Sequence, residues 1–200
     1  MKVAIIGAGK VGRLIANSIR KKVKNILIIE KKREVCDKLA EKYDWEIING
    51  DATDPDIIEE AKINEYDIVF ITTGNSTTNI LTAMYLKHMG ANRVITRLDS
   101  NKYIDMLEKL GIEGVSEDAI MAREMLHKAF NPIIYELFNL SSSNIRIGQI
   151  SGREIGAKTL KEAIEKEGIY PVAIWRNGTF IMPKLDEEIF EDDIIIVLEE

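Results

Sequence analysis

The sequence predicts an α/β protein: a Rossmann-like doubly wound parallel sheet, a helical dimerisation arm, and a small C-terminal α+β domain. Three observations carry this expectation. Short apolar runs alternate with helical patterns through residue 116. A glycine-rich turn, "GAGKVG", joins the first run to the first helix. After residue 116 the pattern changes, and the chain ends in segments rich in β-branched residues with an Asn-Gly hairpin signal. Strand and helix in strict alternation specify parallel strands with crossover helices on both faces. Strands covered on both sides read as near-continuous hydrophobic runs rather than alternating ones.

Taken in order, the strand candidates are "VAII" at 3–6, "ILII" at 26–29, "EII" at 46–48, "DIVFI" at 67–71, "RVIT" at 93–96 and "GVS" at 114–116. Helices are expected near 11–22, 32–43, 55–62, 76–89 and 100–109. Local chemistry marks their ends: Asp54-Pro55 reads as a cap followed by proline at the first helical position, and Gly90 and Gly111 read as stops. These boundaries give a domain over 1–116. From 117 to 140 a helical arm is expected, broken at Asn131-Pro132. Its first part spreads Ile120, Met121, Met125, Leu126 and Phe130 around more than one stripe. Burial inside one domain and packing between two subunits both fit that distribution. A linker, "LSSSN" at 140–144, leads to a domain over 145–200 with strands at "IRIGQI", "IYPVAIW", "TFIMP" and "DIIIVLE" and a helix near 159–166.

Composition narrows the function. A formal net charge of -6 argues against a nucleic-acid footprint, which needs clustered Lys and Arg not outnumbered by carboxylates. No apolar stretch approaches the roughly twenty residues of a membrane-spanning helix, and the start lacks the pattern of a signal peptide, so a cytoplasmic protein is expected. The single cysteine, Cys36, lies in a helical pattern beside Val35 and Leu39 and reads as a buried thiol. His88 and His127 fall on helices and read as surface or packing residues. The acidic cluster Asp186, Glu187, Glu188, Glu191, Asp192 and Asp193 reads as a solvated loop before the last strand, with a divalent-ion site as the alternative.

The glycine turn carries the chemistry. Gly7 permits a tight turn, Gly9 lets backbone approach a pyrophosphate, and Gly12 lets the helix pack closely on the sheet. The free amides and dipole of that helix favour phosphates. Glu30 ends the second strand, where a carboxylate would accept hydrogen bonds from adenosine ribose hydroxyls and disfavour a 2′-phosphate. Lys10 and Arg13 could meet phosphate charge. Strand ends converge on the crevice, bringing Asp51 and Thr53 from "NGDATDPD", Thr72, Thr73 and Gly74 from "TTGNSTTN", and Arg97 from "ITRLD" to the same edge. No acid, base or substrate domain accompanies the loop, as hydride transfer requires.

These residues together resemble the RCK/KTN family, the ligand-binding regulatory domains of Trk/Ktr-type potassium uptake systems and of potassium channels. The resemblance runs through "VAIIGAGKVGRLIA", "IIEKKREVCDKLAEKYDWEIINGDATDPD" and "DIVFITTGNSTTNILTAMYLKHMGANRVITRLDS", and continues into "GREIGAKTLKEA" and "YPVAIWRNGTFIMPKLDEEIFEDDIIIVL", which is similar to the RCK C-terminal domain. It implies a domain that binds NAD(H), or ATP or ADP, without turnover. By position, Gly7, Gly9, Lys10, Val11 and Gly12 would form the phosphate loop and Glu30 would meet the ribose. Asp51, Ala52 and Thr53 would meet the adenosine, and Thr73, Gly74 and Arg97 would complete the pocket. It also implies a homodimer assembling into a higher-order ring beneath a membrane potassium-translocating subunit, with 117–140 as the crossover and dimerisation helices. The chain departs from the family at "GNSTTN", where relatives often carry an acidic residue. The expectation is a nucleotide sensor rather than an enzyme, with an NAD-dependent oxidoreductase, or a fragment of one, as the alternative. A scaffold with a vestigial nucleotide site is a third reading.

Overall fold

The computed structural model describes residues 1–130 and 146–199. The expected Asn131-Pro132 break, the second part of the arm and the linker at 140–144 lie outside the described residues. The chain divides into two compact units, Met1–Met125 and Leu126–Glu200.

The first unit is built on six parallel strands: β1 (Lys2–Ile6), β2 (Asn25–Glu30), β3 (Glu46–Asn49), β4 (Ile68–Ile71), β5 (Arg93–Leu98) and β6 (Ile112–Ser116). Their order in the sheet is β3-β2-β1-β4-β5-β6. Strand order therefore reverses between β1 and β4, the topological switch point at which doubly wound sheets open a crevice at their C-terminal edge. Pairing is in register, with Ile5 opposite Ile28 on one side and Phe70 on the other.

The helices are α1 (Lys10–Ile19), α2 (Arg33–Ala40), α3 (Pro55–Glu60), α4 (Ser76–His88), α5 (Ile104–Lys109) and α6 (Glu117–Phe130). Period-two alternation in the strands sends side chains to both faces. Val3, Ile5, Ile26 and Ile28 pack with Ala16 of α1 and Leu39 of α2. Ala4, Ile6, Leu27 and Ile29 join a second core with Ile58, Ala83, Leu86 and Leu107 of α3, α4 and α5. Asp54 caps α3, accepting from Asp56 N at 3.1 Å, with Pro55 at the first helical position. Gly90 and Gly111 adopt φ of +85° and +70° as the helix stops the sequence predicts. The helix expected over 100–109 is instead a 3-10 turn, Asn101–Tyr103, followed by α5. Cys36 is buried, and burial is the main cause raising its thiol above the ordinary value, with Glu30 adding to it.

α6 buries none of its residues; Met121 is 63% and Met125 67% exposed. Of the two readings open for the arm, burial within its own domain is therefore not realised over these described residues. Between the root of α6 and the sheet lies an apolar recess of about 500 Å³, lined among others by Val11, Ile15, Phe70, Ile95 and Ile120.

The second unit holds an antiparallel sheet of order β7-β10-β8-β9, formed by β7 (Arg146–Ser151), β8 (Tyr170–Arg176), β9 (Thr179–Ile181) and β10 (Ile194–Glu199). α7 (Leu160–Glu167) packs Leu160 and Ala163 onto Ile174, Ile195 and Val197. The two-residue turn Asn177-Gly178, both at positive φ, closes the β8–β9 hairpin.

Arg176 engages the acidic loop before β10 most extensively. Arg176 Nε and Nη2 donate to the two oxygens of Asp193 at 2.8 and 2.9 Å, and Nη1 donates to Glu187 Oε1 at 2.9 Å. The guanidinium also lies 4.5 Å from the Phe190 ring centroid. Asp193 is 1% exposed, and Phe190 N donates to its Oδ2 at 2.9 Å. Asp192 and Glu191 pair with Arg153. Among the described residues no cluster of three or more His, Cys, Asp or Glu is arranged to hold a metal ion.

Arg176 holds the Asp193 carboxyl below its ordinary value. A depressed carboxylate contributes stability that is complete above its unfolded-state pKa of about 3.9 and is lost as pH falls through the lower folded value. Arg176→Ala strands a buried charge, and we expect it to destabilise the C-terminal unit by about 3 kcal/mol at pH 7. Urea denaturation should show the penalty at pH 7 and a smaller one near pH 3; equal penalties at both would contradict the assignment.

Candidate nucleotide cleft

The turn from β1 into α1 shapes the cleft. Gly7 adopts φ of +92°, and a Cβ there would approach Thr73 N to 3.0 Å. At Gly12 a Cβ would run into the carbonyl oxygen of Gly7 and come within 2.7 Å of Thr72 Oγ1. The buried Thr72 hydroxyl donates to Gly7 O at 2.8 Å, so β4 fixes the turn from the other side. Gly9 caps α1 with no side-chain hydrogen bond, and a Cβ added to it would meet nothing within 4 Å. First-turn helix amides have no intrahelical acceptor, and here no acidic side chain lies in the first turn. The helix start therefore presents N–H groups and a positive dipole end to the crevice.

The crevice has a volume of about 650 Å³ and sits at the C-terminal edge of β1, β2, β4 and β5. Of the residues expected at a ligand site, Gly7, Gly9, Glu30, Asp51, Ala52, Thr53, Thr73, Gly74 and Arg97 line it together. Lys10 is exposed and does not line it. Val11 lines the apolar recess instead, and Gly12 acts through its close approach to Gly7. Arg13, one turn into α1, does face the cleft.

Electrostatics differ from one end to the other. At the β2–β3 end, Glu30 accepts from Ala8 N through Oε2 and from Lys32 N through Oε1, both at 2.8 Å. The carboxylate thus ties the glycine turn to the start of α2 while keeping lone pairs for further donors. Asp51 accepts from Lys31 Nζ at 2.7 Å, from Thr53 Oγ1 at 2.8 Å and from Thr53 N at 3.0 Å. The Lys31 hydrogen bond, aided by Thr53, brings the Asp51 carboxyl down to about 2, and Asp51 raises Lys31. At the β5 end, Arg97 Nη2 donates to Glu117 Oε2 at 2.6 Å.

Two parts of the site escape sequence reasoning. Asn79, 1% exposed on α4, donates through Nδ2 to Thr73 O at 3.1 Å and to Arg97 O at 2.9 Å, and its Oδ1 accepts from Thr73 Oγ1. It thereby ties the ends of β4 and β5. Its signal is an Asn on the stripe Asn79, Thr82, Ala83 and Leu86, the buried face of α4. The second is the pairing of Lys31 with Asp51, which draws on two strand ends 20 residues apart.

The TrkA-N domain model matches residues 3–118. The chain is 27% identical over 189 residues to the Trk system potassium uptake protein TrkA homolog of Methanothermobacter thermautotrophicus, covering 93% of this chain and 88% of that relative. It is 29% identical over 202 residues to TrkA homolog 2 of Methanosarcina mazei, covering 98% of this chain and 45% of that protein. It therefore spans most of the first relative and about half of the second. Among solved structures, the GsuK channel bound to NAD aligns with TM-score 0.57 and 19% identity over 98% of this chain and 36% of that one. GsuK bound to ADP aligns with TM-score 0.56 and 23% identity, over 66% of this chain and 34% of that one. The human SLO3 gating ring aligns with TM-score 0.70 and 12% identity, over all of this chain and 44% of that one. At these identities the structures establish a shared fold.

The glycine geometry separates packing from ligand contact. Gly12→Ala should destabilise the first unit by about 2 kcal/mol, because backbone must shift to admit the methyl. Gly9→Ala should change stability by no more than about 0.5 kcal/mol. Thermal or urea unfolding of both variants tests this, and equal losses would contradict the assigned contacts.

Proposed function

The chain belongs to the TrkA-N domain family, and on that premise we propose that it is a nucleotide-sensing regulatory subunit. In this reading it binds NAD(H), or ATP or ADP as alternative ligands, in the cleft at the β1–β4 switch point. Occupancy gates a membrane potassium-translocating subunit. The observation that carries the reading is the α1 N-terminus at Gly9, free of a side-chain cap and opening on a cleft with the carboxylates of Glu30 and Asp51 at one end and Arg13 and Arg97 elsewhere along it. Such a site accepts a nucleoside through its hydroxyls and a phosphate chain through amides and guanidinium groups.

Chemistry on the nucleotide would need a proton donor or acceptor whose pKa lies near working pH. In this cleft Asp51 is driven down to about 2 and Lys31 is raised, both away from neutrality. No histidine or cysteine lines the cleft among the described residues. These features support a reading of binding without turnover, in which the nucleotide acts as a signal.

A ligand shifts an equilibrium only through different affinity for two states, so sensing requires an assembly able to change. Exposed Leu14, Met121 and Met125, beside the apolar recess, supply a surface that a second copy would cover in a homodimer, and dimers would build a ring. No helix among the described residues is long and apolar enough to cross a membrane. In this reading the chain is held at the cytoplasmic face through the membrane partner.

Calorimetry with NADH, NAD, ATP and ADP tests the reading. We expect saturable binding of at least one nucleotide and no consumption of it. In Gly9→Asp we expect a loss of at least about tenfold in affinity, since a carboxylate in that open space repels phosphate. Undiminished binding by Gly9→Asp would remove the glycine turn from the site. Turnover of NAD with an alcohol or carbonyl substrate would favour an oxidoreductase instead.

A further inference from the structure

Arg97 forms part of the wall of two cavities. It lines the nucleotide cleft, and it also lines the apolar recess at the root of α6. Its Nη2 is engaged by Glu117, the first residue of α6. Its Nε is buried and has no hydrogen-bond partner among the described residues. A buried donor without an acceptor is unfavourable, so the guanidinium is under-satisfied in this arrangement. Its planar fork suits oxyanions that can take two donors at once.

α6 depends on the same corner. With no buried residue of its own, it is tied at its root by three polar contacts. Asp118 N donates to Asp99 O at 3.3 Å, Ala119 N donates to Ser116 Oγ at 3.3 Å, and Glu117 accepts from Arg97 at 2.6 Å. The ion pair is the shortest of the three. Elements with few buried contacts open locally at low cost, so the first turn of α6 responds to the loss of one tie.

We propose that Arg97 couples occupancy of the cleft to the root of α6: a phosphate of the bound nucleotide draws the guanidinium from Glu117 and releases the first helical turn. This rests on the nucleotide reading above and adds the regulation of that site. Three features favour the exchange. A phosphate chain carries more charge than one carboxylate. The Glu117 side chain is 38% exposed and is readily hydrated once released. Turning the guanidinium toward the cleft also gives Nε an acceptor. Linkage makes the coupling reciprocal, so weakening Arg97–Glu117 must tighten nucleotide binding.

Hydrogen exchange by mass spectrometry on the full chain, with and without saturating ADP, reads the helix directly, and calorimetry reads the affinity. In the wild type, ADP should raise exchange of the amides at 117–121 by roughly tenfold. In Glu117→Gln those amides should exchange fast from the start and respond no further, while ADP binds about three- to tenfold tighter. ADP binding that leaves α6 exchange unchanged, or equal ADP affinity in the two proteins, overturns the coupling and leaves the binding reading intact. Failure of ADP to bind the wild type at millimolar concentration overturns the coupling; failure of NAD, NADH and ATP as well overturns the nucleotide reading.

Discussion

The close approach of Gly12 to the Gly7 carbonyl, secured by the Thr72 hydroxyl, is the constraint from which the site follows. It sets the first turn of α1 against the ends of β1 and β4, where strand order reverses. Without that approach the amides of the helix start would not open on the crevice, where the strand ends carrying Glu30, Asp51, Thr73 and Arg97 meet. The hydrophobic cores on the two faces of the sheet keep these edges in register.

Several charged groups around the cleft are already engaged. Glu30 ties the glycine turn to α2, Lys31 and Asp51 pair across two strand ends, and Arg97 engages the first residue of α6. A ligand entering such a site exchanges interactions rather than filling an empty space. That property suits a sensor, because each exchanged partner belongs to an element that can respond. Arg97 is the member of this set whose partner begins an unburied helix.

Much of the architecture was legible because parallel strands covered on both faces must be apolar along their length. Capping chemistry at Asp54-Pro55, Gly90 and Gly111 then placed several helix ends correctly. α4 was harder to read as amphipathic, since its buried face carries Asn79 and Thr82. The glycine turn, Glu30, Asp51 and Arg97 were legible as a set because strand ends converge. Lys10, the first residue of α1, is exposed and does not line the cleft, whereas Arg13 does. The pairings of Lys31 with Asp51 and Arg97 with Glu117 depend on side-chain geometry between residues 20 apart in sequence, which local pattern does not encode.

A crystal structure of the full chain grown with ADP is the most direct test of the nucleotide cleft. Its phosphates should lie against the amides of the Gly9–Gly12 turn, with the ribose toward Glu30 and the Arg97 guanidinium turned from Glu117 toward the cleft. ADP bound elsewhere, or bound in the cleft with its phosphates away from the α1 N-terminus, would contradict the assignment of this site.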